Sequence, residues 1–121
     1  MCFFKDYLII AAGGGGSKVG LRNKIICYKY DETGFKDEAH SEEIKDGIPL
    51  CVDSIEAKSV FCCCFNNKTY FYEIESHSGF FFEVARIDTA EYFDDDFYQN
   101  LCKFDQSGNN LYTATTDGKL K

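Results

Sequence analysis

The residues best suited to chemistry are four consecutive glycines, Gly13 to Gly16, which lie between two strand-like segments. Glycine has no Cβ atom, so such a loop exposes its backbone amides and carbonyls to a ligand or a partner. The flanking segments, 7–12 and 24–30, are apolar, β-branched and aromatic, which is typical of strands. The loop therefore predicts an ion site, a docking surface for a partner, or a plain glycine-rich hairpin.

A phosphate-binding loop is the obvious competing interpretation. That motif requires Gly-Lys-Ser/Thr followed by a helix whose N-terminus faces the phosphate. Here the order is Gly16-Ser17-Lys18-Val19, and a strand follows instead of a helix. The dinucleotide-binding motif requires a βαβ unit, which the sequence does not predict. The spacing therefore disfavours nucleotide binding.

The seven cysteines are the second set of reactive side chains, and three of them are consecutive, Cys62 to Cys64. Neighbouring residues of a strand point to opposite faces, so Cys62 and Cys64 should share a face that Cys63 does not. No Cys-x-x-Cys pair occurs and both histidines are isolated, which disfavours a zinc site. We expect free, mostly buried thiols in a reducing compartment.

The amino-acid composition favours a globular, β-rich protein. A chain of 121 residues with 45% hydrophobic residues is one globular domain or part of one. Its 17% aromatic content and single proline favour β structure, and its net charge of −7 argues against nucleic acid as a partner. No signal peptide opens the sequence, and no run of about 18 apolar residues predicts a membrane span.

The elements that position these residues are predicted to be strands. Segment 36–47 is polar on nearly all sides, so we expect a solvated loop there, and no segment predicts an amphipathic helix. Strand-like runs separated by turn residues cover 7–12, 24–30, 48–53, 59–65, 68–74, 79–87 and 110–115.

A repeat appears when the sequence is shifted by 51 residues, which aligns Leu50-Cys51 with Leu101-Cys102 and Asn66-Asn67-Lys68 with Asp117-Gly118-Lys119. A period of about 40–50 residues made only of strands is typical of propeller blades. The sequence thus predicts an all-β fold, the N-terminal two to three blades of a WD-repeat β-propeller. Predicted blade units cover 1–47, 48–97 and a truncated 98–121. A β-sandwich remains the alternative.

In this setting the glycine loop resembles that of one family. The pattern begins with a strand and four glycines, continues after two or more residues with a glycine, an aliphatic residue, any one residue and an asparagine, and ends in a second strand. Near the start of a WD-repeat propeller, this pattern is similar to that of the prolactin regulatory element-binding protein family. These are exchange factors of the endoplasmic-reticulum membrane for the small GTPase that initiates the COPII coat. The chain departs from the family in lacking a Trp-Asp pair and in its long blades. The matching residues are Gly13, Gly14, Gly15, Gly16, Lys18, Gly20, Leu21 and Asn23.

The resemblance implies a potassium ion as cofactor. In the family the loop binds potassium and inserts against the switch regions of the GTPase. Carried over to this chain, the carbonyls of the glycines and the side-chain oxygen of Asn23 would be the ligands, because a hard cation prefers oxygen. The implied metal-binding residues are Gly13, Gly14, Gly15, Gly16 and Asn23.

The resemblance also implies a function, guanine-nucleotide exchange in transport from the endoplasmic reticulum to the Golgi. Gly20, Leu21, Arg22 and Asn23 would contact the GTPase, with Leu21 as an apolar wedge. No covalent chemistry is expected, so the chain is not predicted to be an enzyme. The protein would act at the cytosolic face of the endoplasmic reticulum, with a membrane anchor after the propeller. The alternative is a propeller that binds a protein or peptide as a scaffold without exchange activity.

Overall fold

The computed structural model describes residues 1–13, 23–44, 48–65, 68–88 and 99–115. These residues are almost entirely β, as predicted, and their only helix is the single 3₁₀ turn Glu56–Lys58. The strands are β1 (Cys2–Phe4), β2 (Tyr7–Ala12), β3 (Lys24–Asp31), β4 (Gly34–Glu43), β5 (Cys51–Ile55), β6 (Val60–Cys64), β7 (Lys68–Ile74), β8 (Phe81–Asp88), β9 (Gln99–Phe104) and β10 (Leu111–Thr115).

The strands form three antiparallel sheets, and each sheet is built from consecutive strands. The first sheet has the order β1-β2-β3-β4, the second β5-β6-β7-β8, and the third pairs β9 with β10. Every strand pair joins neighbours in the sequence, and no strand of the described ranges crosses from one sheet to another. The seven predicted strand segments all contain a strand. Two predicted turns, Asn66-Asn67 and Asp117-Gly118, lie outside the described residues.

The prediction of a solvated loop over 36–47 is wrong, because Gly34–Glu43 forms β4. This strand is the outer strand of the first sheet and pairs on one side only, with β3. An edge strand with solvent beside it does not need an apolar face, and its charges discourage pairing with another chain. The sequence also gave no signal for the short β1 or for β9, which begins with the polar pair Gln99-Asn100.

Strand β6 has a buried core on each of its two faces, as its continuous apolar run predicts. Phe61 and Cys63 belong to a large cluster shared by the first and second sheets. Cys62 and Cys64 belong to a second cluster with Cys102 of the third sheet. The prediction that Cys62 and Cys64 share a face is therefore confirmed, and the second sheet lies between the other two.

Hydrogen bonds between sheets join residues that are 51 positions apart. The Ser54 hydroxyl donates to the Phe3 carbonyl over 2.6 Å, which links β5 to β1. The Phe104 amide donates to the Asp53 carboxylate over 2.8 Å, which links β9 to β5. The first strand of each sheet thus lies beside the first strand of the next, with the same step in sequence at both junctions.

Candidate functional site

The glycine loop starts and ends at one point of the first sheet. Strands β2 and β3 pair without a bulge from Tyr7 with Lys29 to Ala12 with Lys24. The β-branched and apolar side chains of both strands favour this pairing, and Ile9 and Ile25 are fully buried beneath it. Because the ladder is continuous, Gly13 and Asn23 follow its last pair, Ala12 with Lys24, at the same end of a regular hairpin.

The two residues at the base of the loop lie against each other. Gly13 has a φ of +149°, a conformation that other residues rarely adopt. A Cβ atom there would lie 2.9 Å from the Asn23 Cα and still nearer to the Asn23 Oδ1. Only glycine lets the two backbones approach this closely, so the base requires the residue that the sequence supplies.

Asn23 is also held from the other side. Its carbonyl accepts a hydrogen bond of 2.7 Å from the amide of Ile44, which follows β4. The Ile44 side chain is buried in the core shared by the first two sheets. Asn23 is thus fixed to the adjacent edge strand as well as to its own hairpin, and the base of the loop has a defined position.

Among the predicted site residues, the structure brings Gly13 and Asn23 together and describes no others. Six residues lie outside the described ranges, and their proposed contacts with potassium or a GTPase stay predictions: Gly14, Gly15, Gly16, Gly20, Leu21 and Arg22. The described residues contain no group of three or more histidine, cysteine or acidic side chains that could hold a metal ion. That observation concerns side chains only, whereas the proposed potassium ligands are mainly backbone carbonyls.

A cluster of four thiols is the feature that sequence reasoning missed. Cys51 of β5, Cys62 and Cys64 of β6, and Cys102 of β9 meet between the second and third sheets. The Sγ atoms of Cys62 and Cys102 are 3.6 Å apart. Cys51 and Cys102 each direct Sγ toward the other's carbonyl oxygen at 3.5 Å. The alignment of Cys51 with Cys102 in the repeat was the signal that could have revealed it.

The thiols of this cluster differ in acidity. Hydrogen bonds from the thiols of Cys51, Cys62 and Cys64 stabilise a negative charge on Cys102 and lower the pKa of its thiol. The shared hydrogen bond with Cys102, together with burial, raises the pKa of Cys62. The neighbouring thiols therefore favour ionisation of Cys102 over ionisation of Cys62.

Comparisons with known proteins identify the fold and not the family. No protein-family model matches the sequence, and no curated protein matches it. A crystal structure of a protein from Lactobacillus plantarum has a similar fold, with a TM-score of 0.67 and 13% sequence identity. The match covers 95% of this chain and 40% of the other, so this chain spans well under half of that structure. No helix in the described parts of the chain has the length and apolar character needed to cross a membrane.

Proposed function

We propose that this chain is the N-terminal part of a β-propeller that acts as a guanine-nucleotide exchange factor for the small GTPase of the COPII coat. The observation that carries the proposal is the hairpin of β2 and β3, a regular, buried support for one long glycine-rich loop. A loop on a rigid scaffold is a common site of partner recognition. The resemblance of this loop to the exchange-factor family supplies the identity of the partner.

The propeller is supported by the stacking of the sheets. Two four-stranded meanders and the hairpin of β9 and β10 pack in chain order, and their first strands meet with a step of 51 residues. Such stacking buries both faces of the middle sheet, as neighbouring blades of a propeller do. On this interpretation the blades are units 1–47, 48–97 and 98–121, and further blades complete the ring. The membrane anchor and the location at the endoplasmic reticulum rest on the resemblance alone.

The proposed mechanism requires no bond-making side chain. An exchange factor accelerates release by binding the nucleotide-free GTPase more tightly than its GDP form. Gly13 and Asn23 would set the direction of the loop through their contact at its base. Leu21 would insert between the nucleotide-contacting elements of the GTPase, and Gly20 and Arg22 would contact it beside Leu21. A potassium ion bound by the glycine carbonyls and Asn23 would hold the loop in its active conformation.

The experiment that tests this proposal measures the release of fluorescent GDP from the GTPase. Burying the Leu21 side chain is worth about 1.5–3 kcal/mol, which corresponds to roughly a 10- to 100-fold change. We therefore expect Leu21→Ala to slow release by that factor. Leu101→Ala is the matched control, because Leu101 is an exposed leucine of β9, in the third sheet and not in the hairpin of β2 and β3. Exchange that is undiminished in folded Leu21→Ala protein would exclude the wedge.

The role of potassium is tested in the same assay. Sodium is smaller than potassium and fits a ring of carbonyls of fixed size less well. If the loop holds potassium, replacing potassium by sodium should slow GDP release by the unmodified protein and should have less effect on Leu21→Ala. Equal rates of GDP release in potassium and in sodium would show that the loop needs no potassium. They would not affect the proposed role of Leu21.

A scaffold without exchange activity is the second candidate, and strand β8 favours it. This edge strand exposes Phe82 and Val84, which are 42% and 48% accessible to solvent. Exposed apolar side chains on an edge strand are suited to pairing with a partner's strand. Binding to the GTPase that is equally tight in its GDP-bound and nucleotide-free forms would favour the scaffold.

A further inference from the structure

We propose that Cys62 and Cys102 form an oxidative modification site, a reversible disulfide that hydroperoxides produce between the second and third sheets. The two sulfur atoms are already in contact at 3.6 Å. They belong to β6 and β9, strands that share no backbone ladder. The bond would therefore join two sheets that are otherwise held together by packing and a few hydrogen bonds. This inference does not depend on the exchange activity.

The cluster contains the groups that such a reaction needs. The Cys62 thiol donates a hydrogen bond to the Cys102 sulfur over 3.6 Å, and the neighbouring thiols lower the pKa of Cys102. A thiolate, and not a thiol, attacks a peroxide. Cys62 lies within contact distance to resolve the oxidised sulfur, which is the usual arrangement in redox-sensitive pairs. Cys51 is only partly buried, so the side of the cluster next to Cys51 is where an oxidant would approach.

The reaction balances with one hydroperoxide for each disulfide. The Cys102 thiolate attacks a peroxide oxygen, so an S–O bond forms, the O–O bond breaks, and hydroxide or alkoxide leaves. Cys62 then attacks the resulting sulfenic acid, so the S–S bond forms and the S–O bond breaks. The oxygen leaves as water with the proton of the Cys62 thiol. The two thiols lose two electrons in total, and the hydroperoxide gains them.

The test treats the reduced, folded protein with hydrogen peroxide, alkylates the remaining thiols and maps the tryptic peptides. Cys62 lies on peptide 59–68, Cys102 on 87–103 and Cys51 on 46–58, so the candidate pairs are separated by mass. We expect a crosslink between 59–68 and 87–103, a fall from seven alkylated cysteines to five, and reversal by dithiothreitol. Fragmentation between Cys62 and Cys63 assigns the linked residue even if a variant fails to fold.

A matched pair of variants distinguishes the proposed residue from its neighbour. Cys62 and Cys63 are both fully buried on β6, but Cys63 belongs to the core on the opposite face. Cys62→Ala should abolish the crosslink, and Cys63→Ala should leave it intact. Seven alkylated cysteines after treatment, a crosslink through Cys51 or Cys63, or one tightly bound zinc ion that shields the thiols would each overturn the proposal.

Discussion

The two hairpins at the centre of the first and second sheets have the same strand arrangement but very different connections. In the second, the Phe65 amide donates a 2.8 Å hydrogen bond to the Lys68 carbonyl, and only Asn66 and Asn67 separate them. In the first, Gly13 and Asn23 are in contact at the same place, and nine residues separate them. Two residues are sufficient to connect such strands, so the longer connection is not required by the fold.

This difference indicates where the protein can change without losing its structure. Pairing and burial hold the second hairpin, whose Phe61 and Tyr72 lie in the core. The first hairpin is buried in the same way, yet it carries a loop that the sheet does not need. Connections longer than the geometry demands are disproportionately functional. The comparison therefore predicts that changes in the loop alter function and that changes in the second hairpin alter stability.

The largest effect is expected when the first hairpin is made like the second. Replacing residues 14–22 by Asn-Asn retains the contact between Gly13 and Asn23 and removes the loop. We expect GDP release to fall to the intrinsic rate of the GTPase. The protein should fold, and it should be more stable by up to about 1 kcal/mol because a shorter loop costs less entropy to close. Nucleotide release and chemical denaturation measure the two effects, and unfolding of the variant would refute the comparison.

The opposite change targets the core of the second hairpin. Phe61 is fully buried, stacks on Tyr72 with ring centroids 4.9 Å apart, and contacts Phe81 edge-on at 5.2 Å. Phe61→Ala should lower the free energy of unfolding by about 3–5 kcal/mol. Because the residue is remote from the loop in sequence and sheet, the exchange rate per folded molecule should not change. A selective loss of exchange with normal stability would contradict this assignment.

Two glycines with positive φ offer a matched test of the loop base. Gly34 has a φ of +113° and open space where a Cβ would lie, whereas a Cβ on Gly13 would meet Asn23. Alanine at either position should cost about 1–3 kcal/mol in backbone strain. Gly13→Ala should cost more, because the backbones must separate, and it alone should reduce exchange. Equal denaturation midpoints for Gly13→Ala and Gly34→Ala would show that the close contact is unimportant.

The smallest effect is expected in the turn between β9 and β10, where side chains of the turn hydrogen-bond to one another. Hydrogen bonds from Asn110 and Ser107 lower the pKa of Asp105 to about 2. Because folding lowers this pKa, the Asp105 carboxylate stabilises the fold at pH values above its ordinary pKa of 3.8. That contribution is lost as the pH falls through about 2. Thermal unfolding measured between pH 5 and pH 2 should show this loss of stability, and the loss should be smaller in Asp105→Asn. A carboxyl that titrates at its ordinary value by NMR would disprove the prediction.

The sequence predicted the strands that follow a simple apolar pattern and missed those that do not. The runs at 59–65 and 68–74 are apolar and β-branched, and both are strands. Strand β4 could not be predicted because an edge strand needs no apolar face, so its polar sequence is indistinguishable from that of a loop. Pairing with β3, a tertiary property, determines its conformation.

The candidate sites were predictable to different degrees. The contact of Gly13 with Asn23 follows from the loop motif, which places both residues at its ends. The pairing of Cys62 with Cys102 depends on how two sheets stack, which alternation within one strand does not reveal. Alternation predicted only the face of each thiol. The repeat of 51 residues relates Cys51 to Cys102, but Cys62 and Cys102 are 40 residues apart, so no pattern in the sequence pairs them.

Two affinities decide whether the loop of the first hairpin gives this protein the proposed exchange activity. Binding of the protein to the nucleotide-free GTPase and to its GDP-bound form should be measured by titration under identical conditions. We expect much tighter binding to the nucleotide-free form, and loss of that preference when residues 14–22 are replaced by Asn-Asn. Equal affinities for the two forms, or a preference that survives the replacement, would contradict this proposal.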